Sequence, residues 1–247
     1  MQIPGAIVIV TGAAAGIGRA TALELAGAGA AVVVVADVDE RGADETARLI
    51  GEAGATGESV LTDVGDPASL ERLFDHVLAR YGRLDILHNN AGLVSGDPAW
   101  PGTPVERIEA LVRTNVLGPL VGTRLAVAAM THGGAVVNTA SVAGLAPLPT
   151  DAVYAATKAA VILFTQSCAG LAESHGVRVN AVLPGIVDTA MVGKTGDGVR
   201  PAAWLEPVLA GGIALRPEDI ARAVRSLVED DTKVGETMVL LEPLTTS

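Results

Sequence analysis

Short runs of Val, Ile and Leu, separated by longer helical stretches, leave this chain few folds to choose from. The runs occupy Ala6 to Val10, Ala31 to Ala36, Ser59 to Thr62, Leu84 to His88, Ala135 to Thr139, Val177 to Leu183 and Thr237 to Leu241. Between them, segments such as Ile17 to Ala28, Asp66 to Arg80 and Thr103 to Met130 are long enough for crossover helices. Alternation of this kind predicts a parallel sheet covered on both faces. The unbroken AAVVVVA run belongs at the sheet centre, because a strand buried on both faces shows no polar alternation. The expected fold class is therefore α/β, doubly wound, with a single seven-stranded parallel sheet and helices on both faces. No linker, repeat or charge block divides residues 1–247, which read as one domain. The longest irregular segments are Leu93 to Pro104 and Ala190 to about Pro217, and loops of that length in a compact domain are usually functional.

Composition narrows the function. The chain carries 17 basic and 28 acidic residues, and a net charge of -11 repels a nucleic-acid backbone or an anionic bilayer. Neither partner is expected. One cysteine, Cys168, closes no intrachain disulfide, and His76, His88, His132 and His175 lack metal-ligand spacing, so no metal is expected. No apolar stretch is long enough to span a bilayer and no basic leader opens the chain, which reads as cytoplasmic. Aromatic residues are only 2%, so the core is aliphatic and each ring is informative.

The first run leads straight into Thr11-Gly12-Ala13-Ala14-Ala15-Gly16-Ile17-Gly18 and then a helix expected to begin near Arg19. Strand, glycine-rich turn and helix make the phosphate cradle of a Rossmann-type fold. Backbone N–H groups at a helix N-terminus receive a pyrophosphate without a lysine, which reconciles an acidic chain with an anionic ligand. An ordinary turn competes with this reading, since 29 residues are glycine. Asp37 shifts the balance: it closes the second run, with Val38 after it, near the roughly 20-residue offset at which a carboxylate meets the adenosine ribose. A carboxylate there repels the extra phosphate of NADP, and positions 13 to 15 and 38 hold no Arg or Lys. The expected cofactor is NAD.

Tyr154 and Lys158 stand four apart in the helical run DAVYAATKAAVILF and project from one face. An ammonium beside a phenol favours the phenolate, at about 1.4 kcal/mol per pKa unit. With Tyr 2 in the composition and three lysines, such a pair arises by chance at roughly 2%. Ser141 ends the fifth run, where a hydroxyl at the C-terminal edge of a parallel strand can meet a substrate oxygen, although a loop cap is the plainer role. Asn115 lies inside a helical stretch, where Asn competes with its own backbone, so a functional or kink role is expected.

These residues resemble the compact short-chain dehydrogenase/reductase family over nearly the entire chain. The resemblance rests on Thr11-Gly12-x-x-x-Gly16-x-Gly18, Asp63-Val64, Asn89-Asn90-Ala91-Gly92, Asn115, Ser141, Tyr154-x-x-x-Lys158 and Pro184-Gly185 followed by Thr189. It implies that Asn115, Ser141, Tyr154 and Lys158 are catalytic, with Asn115 holding a water against Lys158. It implies a dinucleotide held by Gly12, Ala15, Gly16, Ile17, Gly18, Asp37, Val38, Asp63, Val64, Asn90, Ala91, Gly92, Tyr154, Lys158, Pro184, Gly185, Val187 and Thr189. Asp63 and Val64 serve the adenine, Asn90 to Gly92 the ribose side, and Ile186 to Thr189 the carboxamide. The second run is one residue longer than the family's usual strand, so Asp39 can share the contact of Asp37. The tail VLLEPLTTS lacks the family's Asp-Gly-Gly ending, and SLVEDDTKVGETMVLLEPL is similar to the hydroxyprostaglandin dehydrogenase-like branch, which oxidises secondary alcohols with NAD. Self-association as a homo-oligomer, tetramer or dimer, through the helices bearing Asn115 and Tyr154 is implied as well.

The crevice is expected between the Leu93 to Pro104 loop and a lid over about residues 190–216, with Trp100, Trp204, Leu145, Leu148, Met191 and Val192 beside it. Such a lining suits a largely apolar small-molecule substrate. Stapling of each loop by its tryptophan is an equal alternative. Gly193, Gly196, Gly198, Gly211 and Gly212 are candidate hinges. The leading expectation is hydride transfer between NAD and a secondary alcohol or ketone. The alternatives are an NADPH-dependent ketoreductase of biosynthesis and a non-catalytic NAD-sensing protein.

Overall fold

A computed structural model of the chain describes residues 1–203, 205–210 and 215–242. Trp204, Gly211 and Gly212 of the expected lid, and the tail from residue 243 onward, lie outside the described residues.

The apolar runs form seven parallel strands: β1 (Ile7–Thr11), β2 (Val32–Asp37), β3 (Thr56–Leu61), β4 (Ile86–Asn89), β5 (Gly134–Thr139), β6 (Val177–Pro184) and β7 (Thr237–Leu240). Their order in the sheet is β3-β2-β1-β4-β5-β6-β7, so the chain winds outward from β1 to β3 and then crosses back to β4. That reversal between β1 and β4 opens the crevice where ligands of such folds bind. β3 starts earlier than its apolar run, because an edge strand with half-exposed side chains is held by backbone pairing of Thr56 to Glu58 with Val32 to Val34.

Ten helices are assigned among the described residues: α1 (Gly16–Gly27), α2 (Glu40–Glu52), α3 (Pro67–Tyr81), α4 (Val105–Val112), α5 (Gly118–Ala129), α6 (Ala152–Ser167), α7 (Leu171–His175), α8 (Ala190–Lys194), α9 (Glu206–Ala210) and α10 (Pro217–Glu229). α8 and α9 occupy part of the segment expected to be irregular. Val8, Val10, Val33 and Val35 pack beneath Ala22 and Leu25 of α1, Ile50 of α2 and Ile220 and Val224 of α10. On the opposite face, Ile9, Val34 and Leu87 meet Leu70, Leu73 and Phe74 of α3 and Ala126 of α5. Val161 and Ile162 of α6 cover Ala181 and Leu183 of β6 on that side. Each fully buried Val or Leu contributes about 1.5–3 kcal/mol, so aliphatic packing carries the fold with few rings.

Aspartates start several helices: the carboxylate of Asp39 accepts the Gly42 N–H of α2, that of Asp66 the Ala68 N–H of α3, and that of Asp151 the Tyr154 N–H of α6. α1 is different. Its N-cap is Ala15, with no side-chain cap, and it begins at Gly16 rather than near Arg19. Gly16 and Gly18 have poor helix propensity, which hides this first turn in the sequence. Among the described residues, no helix is long and apolar enough to cross a membrane.

Candidate functional site

The bare end of α1 faces the crevice between β1 and β4, and the turn before it is pressed against β4. The Thr11 hydroxyl accepts the Asn90 N–H at 3.0 Å and the Ala91 N–H at 3.2 Å. The Asn90 side-chain amide donates to the carbonyls of Thr11 at 3.0 Å and Gly12 at 3.1 Å. A Cβ on Gly12 would stand 2.7 Å from the Ala91 Cα, and one on Gly18 would stand 2.1 Å from the Gly12 oxygen. The glycines are therefore demanded by the chain's own close approach. Gly18→Ala is expected to cost about 1–3 kcal/mol in overpacking and to weaken dinucleotide binding at least tenfold by opening the turn. Thermal melts and a dinucleotide titration check this; a variant matching the wild type in both would contradict so close an approach.

Asp37 lies at the end of β2, where its Oδ2 accepts the Ala14 N–H at 2.9 Å and its Oδ1 the Asp39 N–H at 2.9 Å. Asp39 is instead spent on the cap of α2. The carboxylate of Asp37 thus reaches the glycine-rich turn. Val38 beside it is exposed, Asp63 is exposed at the mouth, and Val64 packs against Gly118. At the far wall, Pro184 ends β6, Gly185 N–H bonds the Leu240 carbonyl at 2.8 Å, and Val187 bridges to Leu215. The Thr189 methyl would touch a Cβ on Gly16 at 3.2 Å, which brings the 184–189 segment to the start of α1. An uncapped helix start, an acceptor carboxylate and these flanking loops fit a dinucleotide, with the Arg19 guanidinium held on the Ala14 carbonyl beside the turn.

The reacting end is built by β5 and α6. Lys158 is 4% exposed, and its Nζ donates to the Thr139 carbonyl at 2.8 Å and lies 5.6 Å from the centre of the Tyr154 ring. The Ser141 hydroxyl donates to the Pro184 carbonyl at 3.4 Å and accepts the Ala143 N–H at 3.2 Å, so it caps the turn after β5 as well as lying beside Tyr154. Burial pushes the Tyr154 phenol up to about 12; the Ser141 hydroxyl pulls it down and the charge of Asp151 pushes it up. Burial pushes Lys158 down to about 8. The phenolate favoured by the sequence spacing is therefore not what the chain alone produces, because burial is the largest influence on each group.

Asn115 sits in a π turn (Arg113–Leu117) between α4 and α5, where the Gly118 N–H reaches back to the Arg113 carbonyl. The helical stretch thus departs from regular α geometry at the Asn. Its amide accepts the Leu93 N–H at 2.7 Å and donates to the Leu93 carbonyl at 2.8 Å and the Thr157 hydroxyl at 3.1 Å. A Cβ on Gly92 would lie 3.5 Å from both Asn115 Oδ1 and Lys158 Nζ, so these three residues converge. Trp100 is half exposed on its loop, and Leu145 is exposed.

Sequence reasoning missed Thr139, the anchor of Lys158. Its hydroxyl donates to Asn90 Oδ1 at 3.3 Å and pairs with Nε2 of buried His88 at 2.9 Å. Its place two residues before Ser141 was the available signal. Among the described residues, no group of three His, Cys, Asp or Glu side chains is arranged to hold a metal.

A family model described as short chain dehydrogenase matches residues 6–200. The cis-4-hydroxycyclohexanecarboxylate dehydrogenase of Sinomonas cyclohexanicum is 39% identical over 232 residues, covering 91% of this chain and 89% of the relative. A short chain dehydrogenase from Burkholderia cenocepacia J2315, solved in complex with NADP, superposes with a TM-score of 0.85 at 28% identity and covers 97% of both chains. The 3-ketoacyl-(acyl-carrier-protein) reductase from Brucella melitensis, complexed with NADH, also gives 0.85, at 27% identity, covering 96% of this chain and 97% of that one.

Proposed function

The chain belongs to the short-chain dehydrogenase family, and on that premise we propose that it interconverts a secondary alcohol and a ketone with NAD as hydride partner. The observation that carries this reading is the convergence of Tyr154, Lys158 and Ser141 at the C-terminal edge of the sheet. The relative named for a hydroxycyclohexanecarboxylate supports an alicyclic or otherwise largely apolar alcohol as substrate class.

Gly12, Ala15 to Gly18, Asp37 and Val38 would hold the adenosine and pyrophosphate half of the dinucleotide, with Asp63, Val64 and Asn90 to Gly92 at the adenine and ribose. Pro184, Gly185, Val187 and Thr189 would hold the other half. When bound, oxidised NAD supplies the hydride acceptor and a positive charge. Ser141 orients the substrate oxygen, and Tyr154 Oη, having first lost its own proton, takes the hydroxyl proton in oxidation and returns it in reduction. Lys158, fixed by the Thr139 carbonyl, lowers the cost of a charged phenol oxygen. Asn115 ties the substrate-side loop to α6 through Leu93 and Thr157. The segment of about residues 190–216 acts as the lid, and the protein is a homo-oligomer. Initial rates across a panel of secondary alcohols, read by nicotinamide absorbance, test this; no turnover of any alcohol or ketone would leave an NAD-sensing protein as the reading.

Asp37 sets the cofactor preference. A phosphate on the ribose would meet its carboxylate, at a cost of about 1–3 kcal/mol near the surface, so NAD should be preferred over NADP at least tenfold in kcat/KM. Asp37→Ser should erase most of that difference. An NADP preference in the wild type would instead support the NADPH-dependent ketoreductase reading, for which the NADP-bound Burkholderia structure is a precedent.

A further inference from the structure

The loop after β4 is gripped at three successive residues. Asn115 holds Leu93, and Arg107 of α4 donates to the carbonyls of Val94 at 2.6 Å and Ser95 at 3.2 Å. Ser95, 6% exposed, turns its N–H to Asp151 Oδ2 at 3.1 Å and its hydroxyl to Asp151 Oδ1. That same Oδ1 accepts the Tyr154 N–H at 3.1 Å. Capping α6 needs one acceptor, which Ser or Asn would supply equally well. Three converging donors need an acceptor-only side chain, and a carboxylate is the one that fits.

We propose that Asp151 is a positioning residue, its carboxylate clasping the Leu93 to Ser95 end of the substrate-side loop to the first turn of the helix that carries Tyr154. This rests on the reading of Tyr154 as the proton-transfer group. Loop placement and phenol placement are then set by one side chain, and opening the loop releases both. The charge of Asp151 also acts on the phenol. The charged groups on elements packed against α6 are Glu106, Arg107 and Glu109 of α4, Arg113 of the π turn and Arg178 of β6. Asp151 is the charged side chain that disfavours the ionised form of Tyr154.

Two variants separate geometry from charge. Ser95→Ala removes one donor and keeps the carboxylate, whereas Asp151→Asn keeps the cap and removes both the charge and an acceptor. In the cofactor-free protein, amide hydrogen exchange over residues 93–104 should speed up about threefold or more in both variants. In steady-state kinetics both should raise KM for the alcohol several-fold more than they lower kcat. Only Asp151→Asn should move the acidic limb of alcohol oxidation to lower pH, by about half a unit, because removing a negative charge eases phenol ionisation. Unchanged loop exchange in both variants, or coincident pH profiles for Asp151→Asn and wild type, would overturn the proposal. Failure of the wild type to turn over any alcohol or ketone would sink the functional reading alone, since the exchange measurement judges the clasp without activity.

Discussion

Replacing Tyr154 with Phe should lower turnover by about 10³-fold while NAD binding persists, because the change removes one hydroxyl and little else. The ring remains beneath the Lys158 Nζ, and the Asp151 cap on α6 is made to the backbone N–H of residue 154, which Phe retains. Folding should be undisturbed: in the cofactor-free chain burial keeps the phenol neutral, and the Ser141 hydroxyl beside it retains its bonds to the Pro184 carbonyl and the Ala143 N–H. What disappears is the atom that carries the proton. Without it, hydride departure from the alcohol carbon would leave a protonated carbonyl with no base within reach. The loss should therefore fall on kcat and on kcat/KM together. Retained turnover in Tyr154→Phe would refute the assignment of Tyr154, and lost dinucleotide binding would refute the separation of the two halves of the site.

What could be read from the residues alone follows the range of the interactions involved. Strand positions were legible because a doubly covered strand needs an unbroken apolar run, as Val32 to Val35 show. The Tyr154 and Lys158 pair was legible because helical spacing places both on one face without knowledge of anything else. Contacts between distant segments were not. Thr139 meets Lys158 through its carbonyl, Asp151 meets Ser95 across the mouth of the crevice, and neither pairing leaves a local pattern. The raised pKa of the Tyr154 phenol in the chain alone was not legible for a related reason. Spacing shows that a charge is near, but desolvation depends on every element packed around the ring, and here burial wins. The π turn at Asn115 lies between these cases: a mid-helix Asn signals a departure, but only the two-way bond to Leu93 shows what it secures.

Lys158 offers the sharper test, because its proposed role sets activity against stability. Burial lowers its pKa from 10.5 to about 8, so keeping it charged in the folded chain at neutral pH costs about 3 kcal/mol. Methionine has a similar shape and no charge, so Lys158→Met removes that cost but leaves the Thr139 carbonyl without its donor, a loss of about 1–3 kcal/mol. The balance favours the variant by about 1 kcal/mol at pH 7, a rise of roughly 2–4 °C in Tm. The sign then changes with pH. Between about pH 8 and 10.5 the unfolded wild type binds a proton that the folded state has released, so wild-type stability rises through this window. The neutral amine still donates to Thr139, so by pH 10 the wild type should be the more stable of the two. Turnover should move the other way below about pH 8, falling about 10²-fold or more in the variant, because the phenol loses the cation that eases its ionisation. Melts at pH 6.5 and pH 10 beside initial rates decide it. A variant that melts below wild type at neutral pH would mean that the buried ammonium stabilises the fold, and Lys158 would then need no catalytic reason to be there.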